Sequence, residues 1–194
     1  MDHRQVLGVH FVISAEKWEK SRNERSWNAI TVRCVGEDIQ TDANPSPDVP
    51  ETVIVVHPKE RRSKCTILPL RGAPGLRFAR STSERATGPL DGYLRLDVDA
   101  PPLTAADANR GLLLLDGTWR WVEDLVVPFG ALETRSIQGV HTAYPRGASI
   151  GELPDGGLAT IEALYVAHRI LGRSTNGLLD HYHWAKEFLV LNNW

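Results

Sequence analysis

Three stretches of the chain carry residue types that can do chemistry. The first is Leu112-Leu113-Leu114-Leu115-Asp116-Gly117-Thr118-Trp119, an aliphatic run ending in a carboxylate, a glycine, a hydroxyl and an indole. In an open α/β sheet, ligands bind outside the carboxyl ends of the strands, where Asp116 would stand. Asp-Gly is equally a common turn, and Trp119 can equally be a core aromatic. The second stretch runs from His57-Pro58-Lys59 through Arg61, Arg62 and Lys64 to Cys65-Thr66. Backbone amides and a hydroxyl at such a strand exit can hold a carboxylate or phosphate, although a plain basic loop has the same composition. The third, Trp184, Phe188 and Asn192, is spaced i, i+4, i+8 as on one packed helix face and reads as structural. There the Asn192 amide can satisfy backbone groups.

Other chemistries lack their signatures. His181 and His183 lie two apart on a predicted helix and so do not share a face, and neither Cys34 nor Cys65 belongs to a C-x-x-C pair. No metal site is expected. The chain contains no G-x-S-x-G elbow, P-loop or G-x-G-x-x-G, which removes the usual support for serine hydrolases, nucleotide triphosphatases and classical dinucleotide enzymes.

The elements that must position these residues can be read from composition and pattern. With 194 residues, 42% hydrophobic and 24% charged, the chain suits one compact soluble domain, or one with an appendage. The longest aliphatic run, 112–115, is too short to span a bilayer. The first residues interleave acids and bases without an apolar signal core. Two cysteines cannot build a disulfide framework, so the expected setting is cytoplasmic. The net charge of -2 conceals residues 57–85, which hold 8 basic and 2 acidic side chains, a local +6. Such a block is an electrostatic footprint or a solvated loop.

Short aliphatic runs at 53–56, 65–70, 93–98 and 112–115 read as strands, with a short helix at 104–109. The unalternated run at 112–115 suits a parallel strand covered on both faces. Residues 42–50 form a Pro-rich linker. Towards the C-terminus, Ile161, Leu164, His168 and Leu171 predict one helix stopped by Gly172, and Leu178, Tyr182, Ala185 and Leu189 predict a second capped by Asn176. The resulting division is an N-terminal appendage and linker at 1–52, an α/β part at 53–127, and a mainly helical part at 128–194.

Three motifs in this order resemble one family. Lys64-Cys65-Thr66, with the preceding His57-Pro58-Lys59, is similar to the D-P-K-K-C-[ST]-G stretch of the small-subunit ribosomal RNA aminocarboxypropyltransferases. Leu103-Thr104-Ala105-Ala106-Asp107, followed by Asp116-Gly117-Thr118-Trp119, resembles that family's L-S-P-x-D … D-C-S-W. Its spelling is also similar to that of the DTW-domain transferases that modify transfer RNA. Thr160-Ile161-Glu162-Ala163 and Trp184-x3-Phe188-x3-Asn192 resemble the family's S-x-x-E-A and W-G-x-x-F-x-x-x-N. The resemblance spans residues 53 to 193. Within it, Ile67 replaces a glycine, Gly117-Thr118 replaces Cys-Ser, and the N-P-x-N-Y-G loop is reduced to Tyr144-Pro145-Arg146-Gly147. Residues 1–52 have no counterpart.

The resemblance implies an α/β, SPOUT-like knotted sheet with a helical C-terminal part, binding S-adenosylmethionine. It implies transfer of the 3-amino-3-carboxypropyl group, rather than the methyl, to N3 of a uridine-type base in structured RNA, ribosomal ahead of transfer RNA. By position, Thr66 would contact the aminocarboxypropyl end of the cofactor, Leu103 and Ala105 would line its adenine pocket, and Trp119 would pack on the adenine or face the cationic sulfur. The loop from Val140 to Pro145, including Ala143, would complete the site. Asp116 would act on the N3 proton as general base. Lys59, Arg61, Arg62, Lys64 and Arg71 would hold RNA phosphates, with Trp121, His141 and Tyr144 as groups that stack on or read bases. Two other readings stay open, a methyltransferase on the same scaffold and a non-catalytic RNA- or protein-binding module. Knotted methyltransferases often pair, but the helical C-terminal part can cover that surface, which favours a monomer.

Overall fold

The structure, a computed structural model, describes residues 49–61, 65–80, 84–145 and 157–194, without the side chains at 84, 85, 119, 120 and 123. The chain divides into two units, Met1–Ile39 and Gln40–Trp194, and every described residue belongs to the second.

The short apolar runs form a parallel sheet. Its strands are β1 (Thr52–Val56), β2 (Leu76–Ala79), β3 (Tyr93–Leu96), β4 (Gly111–Asp116) and β5 (Glu133–Arg135), in the spatial order β2-β1-β4-β3-β5. All four pairings are parallel. β4 lies at the centre, and Leu112, Leu113 and Leu114 are at most 2% exposed, as an unalternated strand requires. The helices are α1 (Glu84–Thr87), α2 (Trp119–Val126), α3 (Thr160–Ile170) and α4 (Ala185–Leu191). Among the described residues no helix is long and apolar enough to cross a membrane.

Strand alternation sends neighbouring residues to two separate cores. Ile54, Leu112 and Leu114 pack with Ile161 and Leu164 of α3 and Phe188 of α4. Val53, Val55, Tyr93 and Leu113 pack on the other face with Leu125 and Phe129. Each fully buried aliphatic side chain contributes about 1.5–3 kcal/mol. The register sets Val56 opposite Asp116, so β1 and β4 leave the sheet at one level.

Strands β2 and β5 form where the sequence pattern predicts none, β5 within the part expected to be mainly helical, and two further stretches lose their expected element. Residues 65–70 form turns and a 3-10 helix at Leu68–Leu70 instead of a strand. Pro69 has no N–H for a ladder, and local bonds from Leu70 N–H to the Ile67 carbonyl and from Arg71 N–H to the Leu68 carbonyl replace one. Ile67 and Leu70 still reach the core, and the edge of the sheet is supplied by β2. Residues 176–184 are turns, and the last helix begins only at Ala185. Gly177 takes φ +75° there, yet Leu178 and Tyr182 remain buried. The first C-terminal helix ends as its glycine suggests. Gly172 adopts φ +66°, and the Arg173 N–H reaches back to the His168 carbonyl at 2.8 Å.

The lower end of the sheet is tied by a buried polar network. The Ser174 carbonyl accepts from His168 Nδ1 at 3.0 Å, which leaves Nε2 to accept from the Thr52 hydroxyl at 3.0 Å. Burial pushes the His168 pKa down to about 4. The unfolded chain therefore takes up a proton near pH 6.5 that the folded chain refuses until about pH 4. Stability contributed by the neutral ring is present above pH 6.5 and is lost as the pH falls towards 4. We expect the melting temperature to drop over this window and the drop to shrink in His168→Gln; identical pH profiles by thermal denaturation would contradict this.

Candidate functional site

The carboxyl ends of β3 and β4 and the turn after β1 open into one crevice of about 310 Å³. Asp116, the last residue of β4, is its central polar group and is 5% exposed. Its Oδ1 accepts from the Thr160 hydroxyl at 2.7 Å, and its Oδ2 accepts from the Cys65 thiol at 2.9 Å. One carboxylate thus joins three distant segments: the end of β4, the turn after β1 and the start of α3. Burial raises the Asp116 pKa above the ordinary carboxylate value, and the two donated hydrogen bonds only partly oppose it. Burial first, and then the neighbouring Asp116 charge, push the Cys65 thiol up to about 12. That cysteine stays protonated and serves as a donor, not a nucleophile.

Thr66 follows Cys65 into the crevice wall. Gly117 lets the exit of β1 come close, because a Cβ at that position would stand 3.2 Å from His57 Cβ. The adjoining α2 starts at Trp119, and the Thr118 N–H before it donates to Glu60 Oε2 at 2.9 Å. His57 stacks on Trp121, with ring centroids 5.4 Å apart and planes 6° from parallel, and Lys59 Nζ lies 4.4 Å from the same indole.

The far wall is the loop 140–145, and its shape depends on Glu162. This side chain is 0% exposed and accepts four hydrogen bonds. The donors are the Thr142 hydroxyl at 2.6 Å, the Ala143 N–H at 2.9 Å, the Ala159 N–H at 2.9 Å and the Tyr182 hydroxyl at 2.8 Å. Asn192 holds the same loop from the other side. Its Oδ1 accepts from the His141 N–H and its Nδ2 donates to the His141 carbonyl, both at 2.8 Å. Tyr144 then packs edge-on against Trp184, with centroids 5.1 Å apart. The Trp184, Phe188 and Asn192 stripe is therefore structural, and what it supports is the site loop.

The structure brings Asp116 and Thr66 together, and adds Thr160, Thr142, Tyr144 and Pro145 to the same crevice. Val140 and Ala143 belong to that loop but pack against the core. Leu103 is buried in the core, and Ala105 is exposed on the 3-10 helix Ala105–Asp107. Neither lines the crevice. β3 ends at Leu96, so its own exit forms the apolar wall, through Leu96 and Val98. Trp119 opens α2, its side chain lying outside the described residues. Lys59, Arg61 and Arg71 are exposed, Arg71 with its guanidinium 5.9 Å from the Phe78 ring. Arg62 and Lys64 lie outside the described residues.

Sequence reasoning missed Leu96, Val98 and the role of Glu162. Glu162 sits within the Thr160-to-Ala163 motif, and a charge in the apolar phase of a helix is the signal that marks it.

No protein-family model matches the chain, and no curated protein matches it. A solved structure does: the SAM-dependent rRNA:acp-transferase Tsr3 from Vulcanisaeta distributa, with a TM-score of 0.58 and 25% identity, over 75% of this chain and 79% of that one. The chain resembles the Tsr3-like family. Its mixed α/β architecture with a five-stranded parallel sheet is a Tsr3-like fold.

Within this Tsr3-like fold, the four donors on Glu162 make a direct test. A glutamine there presents an amide donor to groups that are themselves donors, costing roughly 1–3 kcal/mol for each one left unpaired. Glu162→Gln should lower the melting temperature clearly more than Tyr182→Phe, which removes one donor and leaves the carboxylate with three. Equal losses in the two variants would refute the clasp.

Proposed function

We propose that the chain transfers the 3-amino-3-carboxypropyl group of S-adenosylmethionine to N3 of a uridine-type base in structured RNA, ribosomal rather than transfer RNA. The observation that carries this reading is the convergence of Thr66, Asp116, Thr160 and the 140–145 loop on one crevice, in a chain similar to a SAM-dependent rRNA:acp-transferase. A SPOUT-type knot is part of the same reading.

The residues present suit this cofactor. Leu96, Val98, Leu114, Leu115, Val122 and Ile137 offer an apolar wall to a flat base. The carboxylate of Asp116 opposes a sulfonium. When bound, S-adenosylmethionine supplies an electrophilic γ-carbon beside the cationic sulfur, with methylthioadenosine as leaving group.

The chain's own contribution is aim and charge. Thr66 borders the crevice with a hydroxyl that can donate to a carboxylate, and Thr142, whose proton goes to Glu162, with one that can still accept from an amine. Asp116 keeps a second lone pair on each oxygen after serving Cys65 and Thr160. Its raised pKa suits acceptance of the N3 proton. Lys59, Arg61 and Arg71 supply exposed positive charge near β1 and β2 for RNA phosphates, with Arg62 and Lys64 assigned the same role.

Incubation with ribosomal RNA and labelled cofactor should yield methylthioadenosine. Exclusive formation of S-adenosylhomocysteine would replace the reading with methyl transfer. Salt-dependent RNA binding without cofactor binding would leave a binding module. Asp116→Asn should slow turnover by about 10²-fold or more.

A bound sulfonium favours the ionised form of Asp116, whose pKa burial has raised. Cofactor binding should therefore release protons, and affinity should strengthen as pH rises through the Asp116 pKa. The neutral methylthioadenosine should show no such dependence. Calorimetry of both ligands across pH, in the parent chain and in Asp116→Asn, measures it.

A further inference from the structure

β3 buries an arginine where an aliphatic side chain would fit. Arg95 shares the strand face of Tyr93 and stands opposite Leu113, on the side of Leu125 and Phe129. Its side chain is 8% exposed. Nη1 donates to Asp97 Oδ2 at 2.7 Å, while the buried Nε has no hydrogen-bond partner among the described residues. Removing a guanidinium from water is costly, and a buried ion pair is weak as a source of stability. What the pair does achieve is placement. Arg95 fixes the carboxylate of Asp97 immediately beyond the end of β3, between Leu96 and Val98, and all four residues line the crevice.

The remaining acceptor capacity of Asp97 defines what it can hold. Oδ2 takes the Arg95 guanidinium and Oδ1 takes the Val98 N–H at 2.7 Å. Each oxygen retains one lone pair, so two acceptors stand side by side. With 30% of its side chain exposed, Asp97 can be reached from the crevice. Two adjacent acceptors flanked by apolar walls match a vicinal diol attached to a flat base. An acidic side chain at a strand end holding a ribose is a general solution for nucleotides in α/β sheets.

We propose that Asp97 anchors the ribose 2′- and 3′-hydroxyls of the nucleoside ligand and that Arg95 is its positioning residue. The inference rests on the nucleoside cofactor proposed above and adds the residue pair that selects a ribose. Because Arg95 balances its charge, Asp97 recognises the diol without acting as a second cation site beside Asp116.

The experiment uses the full chain and methylthioadenosine, which has neither the amine nor the carboxylate of the cofactor. Calorimetry compares it with its 2′,3′-dideoxy analogue. The parent chain should bind the ribonucleoside about tenfold or more tightly than the analogue. Asp97→Ala should bind the two within about twofold, and Asp97→Asn, which keeps one acceptor, should fall between them. Arg95→Leu should stay folded by circular dichroism and lose most of the discrimination, since Asp97 is then no longer held. Full discrimination retained in Asp97→Ala or Asp97→Asn overturns this assignment and leaves the cofactor reading intact. Failure of the parent chain to bind any nucleoside overturns both.

Discussion

A carboxylate shut away from water must be met by donors on its oxygens, and Glu162 is met by four. Those donors come from the 140–145 loop, the residue before α3 and the turns preceding α4. A loop with little hydrogen bonding of its own is thereby given one shape. The same charge closes the first turn of α3, whose N-cap residue Ala159 has no side-chain oxygen to do so. Loss of this one anion would release both the far wall of the crevice and the start of the helix beneath it. Asn192 and Trp184 reinforce the arrangement from the C-terminus, which explains why a helical stripe distant in sequence belongs with the site.

Asp116 is the counterpart on the other wall. The parallel register of β1 and β4 brings the turn after β1 to the end of β4, and Asp116 accepts from Cys65 on that turn and from Thr160 on α3. Its burial raises the pKa, while its two donors keep it oriented. Among the described residues the group is positioned by neutral partners and not neutralised by a cation, which leaves its charge directed at whatever enters the crevice. Arg95 and Asp97 differ in kind, because there the two charges cancel each other. The proposed reaction uses both arrangements, an unpaired anion opposite a cationic sulfur and a paired anion beside neutral hydroxyls.

Much of this was legible in the residues themselves. The central parallel strand followed from four consecutive leucines, and Asp116 at a strand exit followed from what comes after them. Gly172 as a helix stop followed from the ease with which glycine takes positive φ. Leu103 and Ala105 do not line the crevice, whereas the apolar exit of β3 at Leu96 and Val98, which has no distinctive spelling, does. Residues 65–70 and 176–184 carry the periodicities of a strand and a helix, yet both are turns whose apolar residues still reach the core. Periodicity reports which side chains are buried, and several backbone paths can bury the same ones.

The sequence alone determined the parallel α/β class, the chemically able residues and the order in which they occur. Only the tertiary structure decided that Glu162 and Asn192 clasp one loop, that Cys65 and Thr160 share one carboxylate, and that Arg95 holds Asp97 at the mouth of the sheet. The first two are contacts between segments far apart along the chain, while the Arg95–Asp97 pair is local and owes its burial to the sheet packed around it. Such contacts depend on strand register and helix docking, which no local pattern of residues encodes.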